Sequence, residues 1–63
     1  MNWGELQREC HRLMDEVFEN KAEAYKWLDK NFGKRHFSSL KYGRDNELLE
    51  EIYRQLYVKS IIN

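Results

Sequence analysis

The chain has 63 residues, 41% of them apolar and 35% charged, with eleven basic side chains set against eleven acidic ones. That length holds one domain and buries only about 60% of the surface the unfolded chain exposes, so stability of a few kcal/mol is the ceiling. No apolar run approaches the roughly 18 residues that span a bilayer, and the balanced charge demands neither nucleic acid nor an anionic membrane.

The one cysteine, Cys10, has no partner within the chain, which fits a reducing compartment. Met1–Glu5 lacks the basic-then-apolar run of a secretory signal, so the expected location is cytoplasmic. Charge is nevertheless unevenly spread. Residues 1–20 carry a net −3, residues 21–33 a net +1, residues 34–44 a net +4 and residues 45–63 a net −2. A basic connection therefore lies between acidic terminal segments.

In the first segment Trp3, Leu6, Cys10, Leu13, Met14, Val17 and Phe18 recur at spacings of three and four, one stripe of a helix. Asn2 followed by Glu5 has the form of a capping box. The expected helix spans about 3–19 and turns at Asn20.

Asn20 and Glu23 repeat the same signature, so a second helix is expected over 21–32, with Ala24, Tyr25, Trp27, Leu28 and Phe32 apolar and Gly33 as its left-handed stop. A link this short predicts a sharp corner or an antiparallel hairpin, with one continuous kinked helix as the alternative.

Residues 34–44 are the least regular, although Phe37 and Leu40 are spaced to anchor a helical turn near 35–40. A third helix is expected over 46–58, opened by Asp45, Glu47, Glu50 and Glu51 and closed by Arg54 and Lys59, which complement the helix dipole. Its stripe is Leu48, Leu49, Ile52, Tyr53, Leu56 and Tyr57. The β-branched Val58, Ile61 and Ile62 suggest an extended or packed end. Neither a repeat nor a pair of strands is discernible. The expected fold is all-α, a small three-helix bundle with an irregular basic loop that holds a short helical turn.

The residues Glu5-Leu6-Gln7-Arg8, His11, Met14-Asp15, Glu23-Ala24-Tyr25-Lys26-Trp27-Leu28, Phe32-Gly33 and His36 carry a resemblance. The chain resembles the C-terminal helical half of a phage- and prophage-associated family described as small "zinc-finger-containing domain" proteins. The resemblance covers about two-thirds of the chain, and its specific core is the Glu23–Leu28 string. It implies a helical module of phage or prophage origin. The family's zinc-binding half carries paired cysteines, whereas this chain has Cys10 alone, so the resemblance implies no zinc function here and no catalytic or binding residues.

Candidate chemistry is sparse. Cys10, His11 and His36 are the strongest metal ligands, but a structural zinc site needs four donors, and adjacent residues such as Cys10 and His11 project about 100° apart on a helix. Cys10 lies on the apolar stripe among acidic residues, the wrong setting for a nucleophile. The carboxylate pairs Asp15–Glu16 and Glu50–Glu51 sit on solvated helix faces, where nothing raises a pKa for acid–base work. Gly4, Gly33 and Gly43 are scattered and form no phosphate loop. Neither an enzyme nor a cofactor, metal or small-molecule substrate is expected.

Two surfaces remain. The nine aromatic residues exceed what three short helices can enclose, and exposed tyrosine and tryptophan are common interface anchors. Tyr25, Trp27, Tyr53 and Tyr57 are therefore the candidate protein-contact residues of an interaction module that acts as a homo-oligomer or on a host protein. The alternative is a nucleic-acid-binding module in which Lys34, Arg35, Lys41, Tyr42 and Arg44 hold phosphates and stack bases. A loose helix-turn-helix, with the second helix as reader, is a variant of that alternative.

Overall fold

A computed structural model describes residues 1–62. It consists of three α-helices, α1 (Trp3–Val17), α2 (Lys21–Phe32) and α3 (Asn46–Ile62), with one 3₁₀ turn at Phe37–Ser39 between α2 and α3. The described residues contain no strand, and the fold is a small all-α bundle. Its radius of gyration, 10.8 Å, matches the roughly 10.6 Å expected of a compact chain this long.

The capping signatures set the helix starts. Asn2 Oδ1 accepts from the Glu5 backbone N–H at 2.9 Å, and the Asn2 N–H donates back to Glu5 Oε1 at 3.4 Å, so both arms of the box are closed. At α2, Asn20 Oδ1 accepts from the Glu23 N–H at 2.9 Å. Gly33 ends that helix at φ 70°, and its N–H donates to the Asp29 carbonyl at 2.9 Å.

Two helix ends differ from the sequence expectation. α1 stops at Val17, two residues short, because Phe18 leaves the helix in an extended conformation and lays its ring 5.7 Å from that of Trp27 on α2. α3 continues to Ile62, beyond the expected end near residue 58. Its β-branched residues have low helix propensity, but propensity is a weak prior and the α-helical ladder runs through them. The turn expected near 35–40 forms as a tighter 3₁₀ element over Phe37–Ser39.

The link between α1 and α2 is a corner rather than a kink. Phe18 and Asn20 both have extended backbones, and a Lys21–Asp15 ion pair of 3.0 Å spans the bend. α1 packs chiefly on α3 and more lightly on α2. The core is almost wholly aliphatic: Leu6, Cys10, Leu13 and Met14 from α1, Ala24 and Leu28 from α2, Phe37 and Leu40 from the connection, and Leu49, Ile52 and Leu56 from α3. None of the buried residues is polar or charged, and no buried side-chain polar atom among the described residues lacks a partner.

The aromatic residues lie around this core instead of in it. Phe37 alone is buried; Trp3, Phe18, Tyr25, Trp27, Phe32 and Tyr53 are half-buried against the core, and Tyr42 and Tyr57 are exposed. They meet in local pairs. Trp27 touches both Phe18 and Phe32, at ring centroid distances of 5.7 and 5.4 Å, Trp3 meets Tyr42 edge-on at 5.8 Å, and Tyr25 lies 4.7 Å from His36.

Candidate functional site: an apolar helix end and a divided basic loop

The outer surface of α3 changes character along its length. In its first half Glu47, Glu50, Glu51 and Arg54 face away from the core, and Arg54 bonds to Glu51 one turn earlier. That contact holds the Glu51 carboxyl below the usual carboxylate range, with Gln55 Nε2 adding a second hydrogen bond at 2.9 Å. In the second half the exposed residues are apolar, with Lys59 and Ser60 half-buried between them. Tyr57 is 49% exposed, Val58 39%, Ile61 67% and Ile62 74%. With Leu56 fully buried on the inner side, the last turns of α3 are apolar around most of their circumference, a pattern that belongs to a helix covered on both sides.

The four expected protein-contact residues do not form one surface. Tyr53 and Tyr57 stand together on α3, with ring centroids 6.1 Å apart. Tyr25 and Trp27 are two positions apart on α2, hence on opposite flanks of that helix. Trp27 is occupied within the fold, between Phe18 and Phe32 and under the Lys59 ammonium, whose Nζ lies 5.9 Å from the ring centroid. Tyr25 and Trp27 are alike in sequence, and only the packing of Trp27 against Phe18 and Phe32 separates them. The apolar tail of the third helix, Val58, Ile61 and Ile62, reads from the sequence as the material of a self-association seam, but nothing in its spacing separates an uncovered face from one folded onto a neighbour.

The basic loop is also divided. Arg44 is bonded internally: its guanidinium donates to Asp45 Oδ2 at 2.8 and 3.0 Å and to the Ser39 carbonyl at 3.1 Å. The same Asp45 oxygen accepts the Lys41 backbone N–H at 2.8 Å, so this one carboxylate ties the loop together. These bonds, the Arg44 contact foremost, hold the Asp45 carboxyl below its ordinary range. Tyr42 is 75% exposed but leans on Trp3 at the side of a cleft of about 370 Å³ that Leu6, Asn46 and Glu50 also line. Arg35 instead shares a shallow groove with Lys26 of α2 and the Tyr25–His36 pair. Lys34 is half-buried and Lys41 exposed; neither is placed on that groove.

Cys10 is completely enclosed, and burial pushes its thiol up to about 12, with the neighbouring Glu9 charge adding to the effect. It fills space in the core and is not a thiolate at neutral pH. The His11 ring meets that of Phe37 at a tilt of 57° and 4.6 Å, away from any set of ligands. Among the described residues, no group of three or more His, Cys, Asp or Glu side chains could hold a metal ion, and no helix is long and apolar enough to cross a membrane.

No family model, curated protein or solved structure matches this chain.

Proposed function

We propose that the chain is a small protein-interaction module that works by surface contact, with the outer face of the last turns of α3 as its contact surface. The observation that carries this reading is the group Tyr57, Val58, Ile61 and Ile62, which supplies four of the six large apolar side chains left exposed among the described residues. Leaving them in water forfeits the transfer free energy that burial would release, about 25 cal/mol per Å² of apolar area. A contiguous apolar face on a small domain marks a place of contact.

A second copy of the chain is the occupant this face suits best. Two α3 helices crossing antiparallel would set Tyr57 and Val58 of one copy against Ile61 and Ile62 of the partner subunit. Two charges border that contact: Arg54, already paired with Glu51, and Lys59, which lines the same surface as Val58 and Ile62 and reaches over the Trp27 ring. An antiparallel crossing that leaves the Lys59 ammonium over Trp27 buries no unpaired charge. The face spans only about two turns, so the association is expected to be weak and concentration-dependent. The similarity of the Glu23–Leu28 string to phage-associated proteins supports a phage or prophage origin for such a module.

The test is sedimentation velocity over a wide concentration range, with Ile61→Glu/Ile62→Glu as the disrupted variant. The wild type should move from monomer towards dimer as concentration rises. The double variant should remain monomeric, with a melting temperature within about 4 °C of wild type in dilute solution, because both side chains are exposed. A wild type that stays monomeric at every concentration would sink the self-association reading.

A further inference from the structure

The groove between α2 and the following loop shares no residue with the α3 face and has a different chemistry. On the helix side it is lined by Ala22, Tyr25, Lys26 and Asp29, which recur at helical spacing, and on the loop side by Arg35 and His36. Its open volume is about 280 Å³. The small Ala22 side chain leaves room on the helix wall. The Tyr25 and His36 rings sit 4.7 Å apart at 56°, with Tyr25 half-buried and His36 exposed, so their outer surfaces are open to a third ring. Lys26 and Arg35 are both exposed, and neither has a carboxylate within 4.0 Å among the described residues, unlike Arg12, Lys21, Arg44 and Arg54.

We propose that this groove binds a nucleotide unit, with the phosphate held by Lys26 and Arg35 and the base stacked on the Tyr25–His36 pair. The combination is that of single-strand recognition: cations for the backbone beside a platform that accepts the π-face of a base. Asp29, the one carboxylate on the groove, repels phosphate from its own end and offers an acceptor to an exocyclic amino group. Cytosine, which carries such a group, is therefore preferred to thymine. The site differs from the basic loop read as a whole, because Arg44 is spent on Asp45 and Ser39 and Tyr42 stands against Trp3.

The experiment is an NMR titration at low salt with four probes: a short oligodeoxycytidylate, the matching oligothymidylate, CMP and inorganic phosphate. Resonances of Tyr25, Lys26, Arg35 and His36 should move with oligodeoxycytidylate, and less with the thymidylate. Lys26→Gln/Arg35→Gln, both exposed and safe for the fold, should lower the slope of log K against log salt by about 0.7, the loss of the one neutralised single-strand phosphate. Tyr25→Leu, checked for an unchanged fold by its spectrum, should weaken binding roughly 5- to 150-fold by removing one stacking partner. Equal affinity for CMP and the oligomer identifies a free nucleotide as the ligand; tighter binding of the oligomer identifies a strand. Absence of shifts with all four probes overturns the proposal. So does binding that inorganic phosphate reproduces and Tyr25→Leu leaves unchanged, since that is an anion patch only.

Discussion

His11 is a residue whose titration the fold alters close to neutral pH. Its ring is half-buried on Phe37, and burial is the main cause that pushes its pKa below the ordinary 6.5; the Lys21 charge works in the same direction and Asp15 against it. A histidine with a lowered folded pKa binds its proton more readily in the unfolded chain. The stability it contributes is therefore fully present above about pH 6.5 and is lost as pH falls through the lower folded value. Urea midpoints followed from pH 8 to pH 5 should fall in that window, and His11→Phe should flatten the dependence while keeping the ring contact. A midpoint in His11→Phe that falls as steeply as in wild type would assign the effect to other groups.

At the scale of elements, the helix boundaries rest on a few residues whose roles can be separated. Gly33 adopts φ 70°, and a Cβ added there would meet nothing within 4 Å, so the cost of Gly33→Ala is backbone strain alone. It should destabilise by about 1 kcal/mol, measured by denaturant unfolding. Gly33→Asn should cost less, because asparagine tolerates the left-handed region. Equal losses for the two would mean that the residue matters for something other than its dihedral.

These elements also mark what the sequence discloses. Asn2-x-x-Glu5, Asn20-x-x-Glu23 and Gly33 are local signals, and each begins or ends a helix where its own chemistry requires. The end of α1 is not local: Phe18 reads as one more residue of the apolar stripe until Trp27 is placed beside it. The division of the basic loop is hidden for the same reason. Lys34, Arg35, Lys41 and Arg44 are alike in sequence, and they separate only once Asp45 takes one of them and the edge of α2 receives another. Tyr42 reads as a partner of the loop's cations, yet it rests on Trp3 at the opposite end of the sequence.

For the molecule as a whole, stability depends on a small aliphatic core to which three helices and one loop contribute. Ile52 and Leu28 are fully enclosed at the meeting of these elements. Truncating either to alanine should cost about 2–5 kcal/mol, comparable with the entire stability expected at this size. Loss of cooperative thermal unfolding in Ile52→Ala is the expected result, while Ile52→Val, at about 0.5–1.5 kcal/mol, should lower the melting temperature and keep the transition intact. A folded Ile52→Ala variant with a melting temperature close to wild type would show that the aromatic rim carries more of the stability than the core does.

The packing of α1 on α3 also constrains how the molecule comes into being. α1 finds its chief partner in α3, not in its neighbour along the chain. Until Ile52 and Leu56 dock, the apolar stripe of α1 lacks its chief cover, and α2 can offer only Ala24 and Leu28 in the meantime. The most vulnerable state of this protein is therefore the partly folded one in which α3 has not yet docked, when the stripe of α1 is open to chaperones and proteases.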